Sequence, residues 1–158
     1  MSEFAPFAKS SGSRNLRLVL DSNEFIFALG IPSWAACRSL LERLIDSAPT
    51  HRVYIPRTVV QEVLHHLVPE ASHEFFRIMQ VLGQIDEDFV VPFELGSKYE
   101  LRELKPADAF IAAYVEWVGA EVLITENRHF LTRHADLPFR VITAQAFLAF
   151  LGHRPHQP

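Results

Sequence analysis

Four residues with oxygen-bearing side chains, Asp21, Glu62, Asp108 and Asn127, stand at comparable points of the sequence. Asp21 directly follows the apolar run RLVL, and Asn127 follows the run VLIT. Glu62 lies under two turns into a helix that Pro56 begins after HRVYI, and Asp108 falls in the first turn of a helix that Pro106 begins. Taken singly, each has a simple structural role. Asp21 reads as the N-cap of a short helix with Glu24 as its capping-box partner, Glu62 as a surface carboxylate, and Asp108 as a charge at a helix start. Taken together they mean more. In a parallel α/β sheet, whatever follows a strand begins at the carboxyl edge, where sites form at a topological switch point. Asp108 shares that edge if the short segment before it doubles back. Three carboxylates and an amide would then converge, and like charges in a partly buried site raise one another's pKa. A divalent cation removes that cost, and an all-oxygen set without cysteine favours Mg²⁺ or Mn²⁺.

The elements that must position these residues follow from the apolar pattern. Arg17 to Leu20 predicts a first strand, His51 to Ile55 a second, Phe89 to Pro92 a third after the acidic turn at 86–88, Val122 to Thr125 a fourth and Leu137 to Ile142 a fifth. Between them lie helical patterns. One begins at Pro32 and Ser33 and carries Leu40, Leu41, Leu44 and Ile45 on one face; another starts at Pro56, and an amphipathic one runs from Pro69 to Leu82. The segment 94–103 predicts a short exposed helix, residues 107–118 a helix apolar on almost every side that Gly119 stops, and 144–151 a last apolar helix. Strands alternating with helices predict a three-layer α/β/α sandwich with a mainly parallel five-stranded sheet and right-handed connections. Residues 1–15 read as a flexible tail, 16–151 as one domain and 152–158 as a frayed C-terminus.

Composition limits what the sheet edge can do. The chain has 158 residues, 49% of them hydrophobic and 22% charged, which is ordinary for a globular domain. No apolar run approaches the roughly 20 residues needed to span a bilayer, and the N-terminus has no apolar core of a signal peptide. The expectation is a cytoplasmic protein without a membrane partner. The single cysteine, Cys37, excludes an internal disulfide and a thiolate zinc site, and reads as a small core residue. A net charge of −4 lacks the basic excess of a typical nucleic-acid binder. Acids gathered around a metal would be neutralised by it, however, and twelve of the fifteen cationic residues are arginine, which suits bidentate phosphate contact. His65 and His66 lie three and four residues after Glu62 and read as solvated or core-edge side chains, because no further ligand cluster follows them.

VLDSN at 19–23, Glu62 in a Pro-initiated helix, DAFIAAYVEWVGAEVLIT at 108–125 and ENRHF at 126–130 together resemble the PIN-domain ribonucleases and their VapC-like toxin branch. The resemblance covers roughly residues 17–150 and is most specific where the helix D-A-x-I-A-A runs into L-I-T-x-N. It implies a Mg²⁺- or Mn²⁺-dependent endoribonuclease with Asp21, Glu62 and Asp108 as its acidic metal-binding and catalytic residues. Asn127 matches the fourth acidic position, and His129 stands where a further Asp is often found. Asn23 and Thr125 match supporting polar positions. Arg102, Lys105 and Arg128 are candidates to receive RNA phosphates, and the substrate implied is single-stranded or looped RNA. The implied partners are an antitoxin protein and a second copy of the chain. Two other classes stand against this. A phosphatase of the aspartyl-nucleophile type would need an acid where Asn23 stands and a Lys after Thr125, whereas Lys105 precedes it. A catalytically weak or inactive scaffold of the same fold, binding RNA or protein, is the alternative that the missing fourth acid leaves open.

Overall fold

The computed structural model describes residues 15–46, 50–82, 85–86, 90–132 and 136–152. The expected N-terminal tail and C-terminal fray fall outside these residues, apart from Asn15 and from Gly152, which closes the last helix. Along the chain the elements are β1 (Arg17–Leu20), α1 (Ser22–Leu29), α2 (Ala35–Asp46), β2 (Arg52–Pro56), α3 (Arg57–His66), α4 (Pro69–Leu82), β3 (Ile85–Asp86), α5 (Phe93–Glu100), α6 (Pro106–Trp117), β4 (Val122–Ile124), α7 (Arg128–Thr132), β5 (Arg140–Ile142) and α8 (Ala144–Gly152). The strands form one five-stranded sheet in the order β3-β2-β1-β4-β5, with every pairing parallel.

Strand order determines the layers. The chain moves from β1 outward to β2 and β3 and then returns across the sheet to β4 and β5. With right-handed crossovers, α1 to α4 must cover one face and α5 to α7 the other. Packing agrees: α1 lies against α2, α3 and α4, α8 joins them through α2, and α5 packs against α6. The three-layer α/β/α sandwich expected from the sequence is the fold found. Leu18, Val19, Leu20, Leu123 and Ile124 are completely buried between the layers, each contributing about 1.5–3 kcal/mol of apolar burial. On the second face the Tyr99 hydroxyl donates to Glu116, which also receives Lys98 Nζ at 3.1 Å, so α5 is locked onto α6. Gly119 ends α6 with φ at 67°, the left-handed C-terminal conformation that costs glycine least. Among the described residues no helix is long and apolar enough to cross a membrane.

One strand is not where the apolar pattern puts it. The third strand is Ile85–Asp86, paired with Ile55 and Pro56, while Val90 and Val91 lie outside the sheet and lead into Pro92, the N-cap of α5. Phe89 lies outside the described residues. Two residues suffice at an edge because α6 holds them from the other side: the Tyr114 hydroxyl donates to Asp86 Oδ2 at 2.8 Å. The remaining strands differ from expectation by their ends only, with β2 shifted one residue to include Pro56 and β5 beginning at Arg140.

Candidate active site

The sheet order places the topological switch between β1 and β4, since connections leave β1 in one direction and β4 in the other. At such a point the loops after the strands part and leave a crevice at the carboxyl edge. The register makes the two strands end level, with Leu20 opposite Ile124. Asp21 N–H continues the ladder by donating to the Ile124 carbonyl at 3.0 Å. The next residues, Asp21 and Thr125, therefore stand side by side.

A chain of hydrogen bonds starts there. Thr125 Oγ1, completely buried, donates to Asp21 Oδ2 at 2.7 Å. The same oxygen accepts the Asn127 backbone N–H at 3.1 Å. Asn127 Nδ2 donates to Asp108 Oδ1 at 3.1 Å, and Asn127 Oδ1 accepts the His129 N–H at 3.0 Å. Asp21 Oδ1 takes the N–H of Ser22 at 2.8 Å as the N-cap of α1. Asn23, one residue on, accepts the Glu126 N–H at 3.2 Å and ties α1 to the end of β4. Asp21 and Asp108, two carboxylates at the N-termini of α1 and α6 and 87 positions apart in the sequence, are thus joined through Thr125 and Asn127.

Asp21, Glu62, Asp108 and Asn127 line one cleft of about 280 Å³, together with Asn23 and Thr58. Glu62 reaches it from α3, on the exposed rim. A larger hollow of about 430 Å³ lies elsewhere, among residues that precede β4 and β5, at the edge of a parallel sheet opposite to the one where sites form. Burial pushes the Asp21 carboxyl above its ordinary range. The Thr125 and Ser22 hydrogen bonds work against that rise, and the charges of Glu62 and Asp108 add to it. Asp108 is raised as well, by burial first, with Lys105, His129 and the Asn127 amide opposing and Glu62 adding. Lys105 and His129 therefore lie near Asp108. Hard oxygen donors whose negative charges burden one another fit a divalent cation.

The other sequence candidates are placed less uniformly. Arg128 and Lys105 are exposed at the ends of the segments that frame the cleft. Arg102 is engaged elsewhere: its guanidinium lies over the Tyr99 ring at 5.5 Å and donates to the Asp136 carbonyl at 3.2 Å. His66 caps its own helix by bonding the Glu62 carbonyl at 2.8 Å. The capping box expected between Asp21 and Glu24 does not form. The Asp21 N–H that Glu24 would bind is taken by the sheet, and the Glu24 carboxyl is buried with no hydrogen-bond partner.

A family model of the PIN domain matches residues 18–136. The chain belongs to the PIN-domain family. PIN-domain proteins are as a rule nucleases, and the matched segment contains Asp21, Glu62, Asp108 and Asn127. No curated protein matches the chain at the level of sequence. Two solved structures are similar in fold. The crystal structure of VapBC2 from Rickettsia felis bound to a DNA fragment from their promoter superposes with a TM-score of 0.57 at 19% identity, covering 81% of this chain and 98% of that one. The crystal structure of PAE2754 from Pyrobaculum aerophilum gives a TM-score of 0.62 at 18% identity, covering 98% and 99%.

Proposed function

We propose that this PIN-domain protein is a metal-dependent endoribonuclease that hydrolyses phosphodiesters of single-stranded or looped RNA in the cytoplasm. The observation that carries the reading is the hydrogen-bonded series Asp21–Thr125–Asn127–Asp108 lining one cleft with Glu62. Asp21 and Asp108 would hold the cation, Mg²⁺ or Mn²⁺, with Glu62 completing the oxygen set from the rim. When bound, the ion supplies charge neutralisation at the scissile phosphate and lowers the pKa of an attacking water.

The remaining work falls to the chain's own groups. Thr125 fixes the direction of the Asp21 carboxylate, and the Asn127 amide does the same for Asp108. Glu62 orients the water and accepts its proton. Lys105 and His129 beside Asp108 receive the phosphate, with Arg128 on the flanking nucleotide, whereas Arg102 would first have to leave Tyr99 and Asp136. A cleft walled by helices and recessed below the sheet edge favours a strand that can bend into it over a stiff duplex.

The same reading makes the protein the toxin of a toxin–antitoxin pair that also associates with itself. Similarity in fold to the toxin–antitoxin complex from Rickettsia felis supports this, as do the exposed apolar side chains Phe76 and Val81 on α4, Val68 before it and Trp34 before α2. The rival reading, a scaffold that binds without cleaving, draws on Asn127 standing where a fourth acid would be. Incubation of the protein with total RNA, with Mg²⁺ or Mn²⁺ and with chelator, decides between them. Cleavage that chelator abolishes supports the nuclease; RNA binding without cleavage in any metal supports the scaffold.

A further inference from the structure

Behind the cleft, a second group of metal-competent side chains comes together from three distant segments. Glu24 on α1, Cys37 on α2 and Glu126 in the turn after β4 each place one ligand atom within 4.8 Å of the other two. Glu24 and Cys37 are completely buried. Both carboxyl oxygens of Glu24 are out of contact with solvent and have no hydrogen-bond partner. A buried, unsatisfied carboxyl costs several kcal/mol unless it is neutralised or ligated. Cys37 Sγ lies 4.0 Å from Glu126 Oε1, and that oxygen also accepts the Ala144 N–H at the start of α8 at 2.8 Å. The first turn of α8 thus offers Glu126 its positive end.

We infer that Glu24, Cys37 and Glu126 form a structural site for a divalent transition-metal ion of the zinc type, separate from the catalytic cleft. The donor set determines the choice of metal. A thiolate with two carboxylates suits borderline Zn²⁺ and disfavours Mg²⁺, which prefers an all-oxygen shell. Zinc–sulfur and zinc–oxygen bonds of about 2.3 and 2.1 Å place ligand atoms about 3.5 Å apart in a tetrahedron. The side chains need to close by about 1 Å from the separations present, a matter of rotamer adjustment. In the metal-free state burial, with the Glu126 charge next, pushes Glu24 up to about 9, and burial with the Glu24 and Glu126 charges raises the Cys37 thiol far above its ordinary value. Glu24 and Cys37 then keep their protons, and a bound ion takes the place of those protons. Counting cysteines excludes a thiolate zinc site from the sequence alone; what the count misses is that two glutamates distant from Cys37 fold against it.

The consequence concerns positioning. Glu24 sits on the same helix as Asn23, three residues after the Asp21 cap, and Glu126 lies between Thr125 and Asn127. An ion here would clamp the two segments whose register aligns Asp21 with Thr125.

The test uses the full chain, reduced and stripped of metal, with Co²⁺ as the probe. The expected result is a near-ultraviolet thiolate-to-cobalt charge-transfer band that saturates at one equivalent and is displaced by Zn²⁺. It should be unchanged in Asp108→Asn, absent in Cys37→Ser, and shifted to at least about tenfold weaker binding in Glu24→Gln. With the cleft disabled by Asp108→Asn, Zn²⁺ should still raise the melting temperature, and adding Cys37→Ser to that variant should remove the rise. If Cys37→Ser fails to fold, Glu24→Gln carries the comparison, because it keeps the shape and removes the charge. The absence of the band in the wild type, or equal affinity in Glu24→Gln, would overturn the assignment and leave Glu24 and Glu126 as a pair sharing a proton.

Discussion

Replacing Thr125 by Val tests whether the hydrogen-bonded series at the sheet edge does chemical work. The two side chains have the same shape, so no cavity opens at this completely buried position. What is lost is the hydroxyl that donates to Asp21 Oδ2 at 2.7 Å and accepts from Asn127 at 3.1 Å. A hydrogen bond to a charged group contributes about 1.5–3 kcal/mol. Losing that bond, which favours the charged form, should raise the Asp21 carboxyl further. Asp21 is already raised in the folded state, so its contribution to stability is present at low pH and declines as pH rises through its folded pKa. Removing a bond that favours the charged form deepens the decline. The stability difference between wild type and variant, measured by thermal denaturation in chelator, should therefore be small near pH 4 and larger near pH 8. In the Mn²⁺-supported reaction the acidic limb of kcat/KM should move to higher pH, with activity at neutral pH lower by about 10- to 100-fold. Thr125→Ser should restore most of it. A stability loss that is uniform with pH, together with an unmoved acidic limb, would refute the reasoning and make Thr125 a packing residue.

Asp108→Asn should abolish metal-dependent cleavage while the metal-free melting temperature holds or rises, because a carboxyl strained by burial and by Glu62 is removed; a large stability loss with activity kept would reduce Asp108 to a helix-start charge. In chelator, wild-type stability should fall as pH rises from about 5 towards 9, at up to about 1.4 kcal/mol per pH unit, since folded Glu24 keeps a proton that the unfolded chain releases. Urea denaturation across that range should show the slope, and Glu24→Gln should flatten it. Asn127→Asp exchanges an amide that donates to Asp108 for a fourth carboxylate beside Asp21, Glu62 and Asp108, so its metal-free melting temperature should fall while the Mg²⁺ concentration for half-maximal cleavage also falls. An unchanged Mg²⁺ requirement would mean that residue 127 does not act on the metal.

The parts of the fold that the sequence makes legible are those where one local signal dominates. Leu18 to Leu20 are buried on both faces and therefore read as a continuous apolar run, and α4 repeats its apolar residues at the helical period from Pro69 to Leu82. Asp21, Glu62, Asp108 and Asn127 could be gathered on paper because a parallel sheet delivers every strand end to one edge. The third strand could not, since Ile85–Asp86 is selected by pairing with β2 and by the Tyr114 hydroxyl rather than by its own composition. For the same reason Glu24 looks like a cap partner: nothing within a few residues reveals that Ile124 takes the Asp21 N–H or that Glu126, across the sheet edge, comes to meet it. Arg102 and its contacts with Tyr99 and Asp136 depend likewise on how the loop after α5 folds back.

Cleavage of an end-labelled single-stranded RNA by wild type, Asp21→Asn and Glu62→Gln, followed across a Mn²⁺ titration, tests the catalytic assignment most directly. The wild type should cut internally with a rate that saturates in Mn²⁺ and vanishes in chelator. Asp21→Asn should be inactive at every Mn²⁺ concentration, and Glu62→Gln should be slowed at saturation. Cutting by the wild type in chelator, or equal rates in all three proteins, would contradict the assignment of the cleft as the active site.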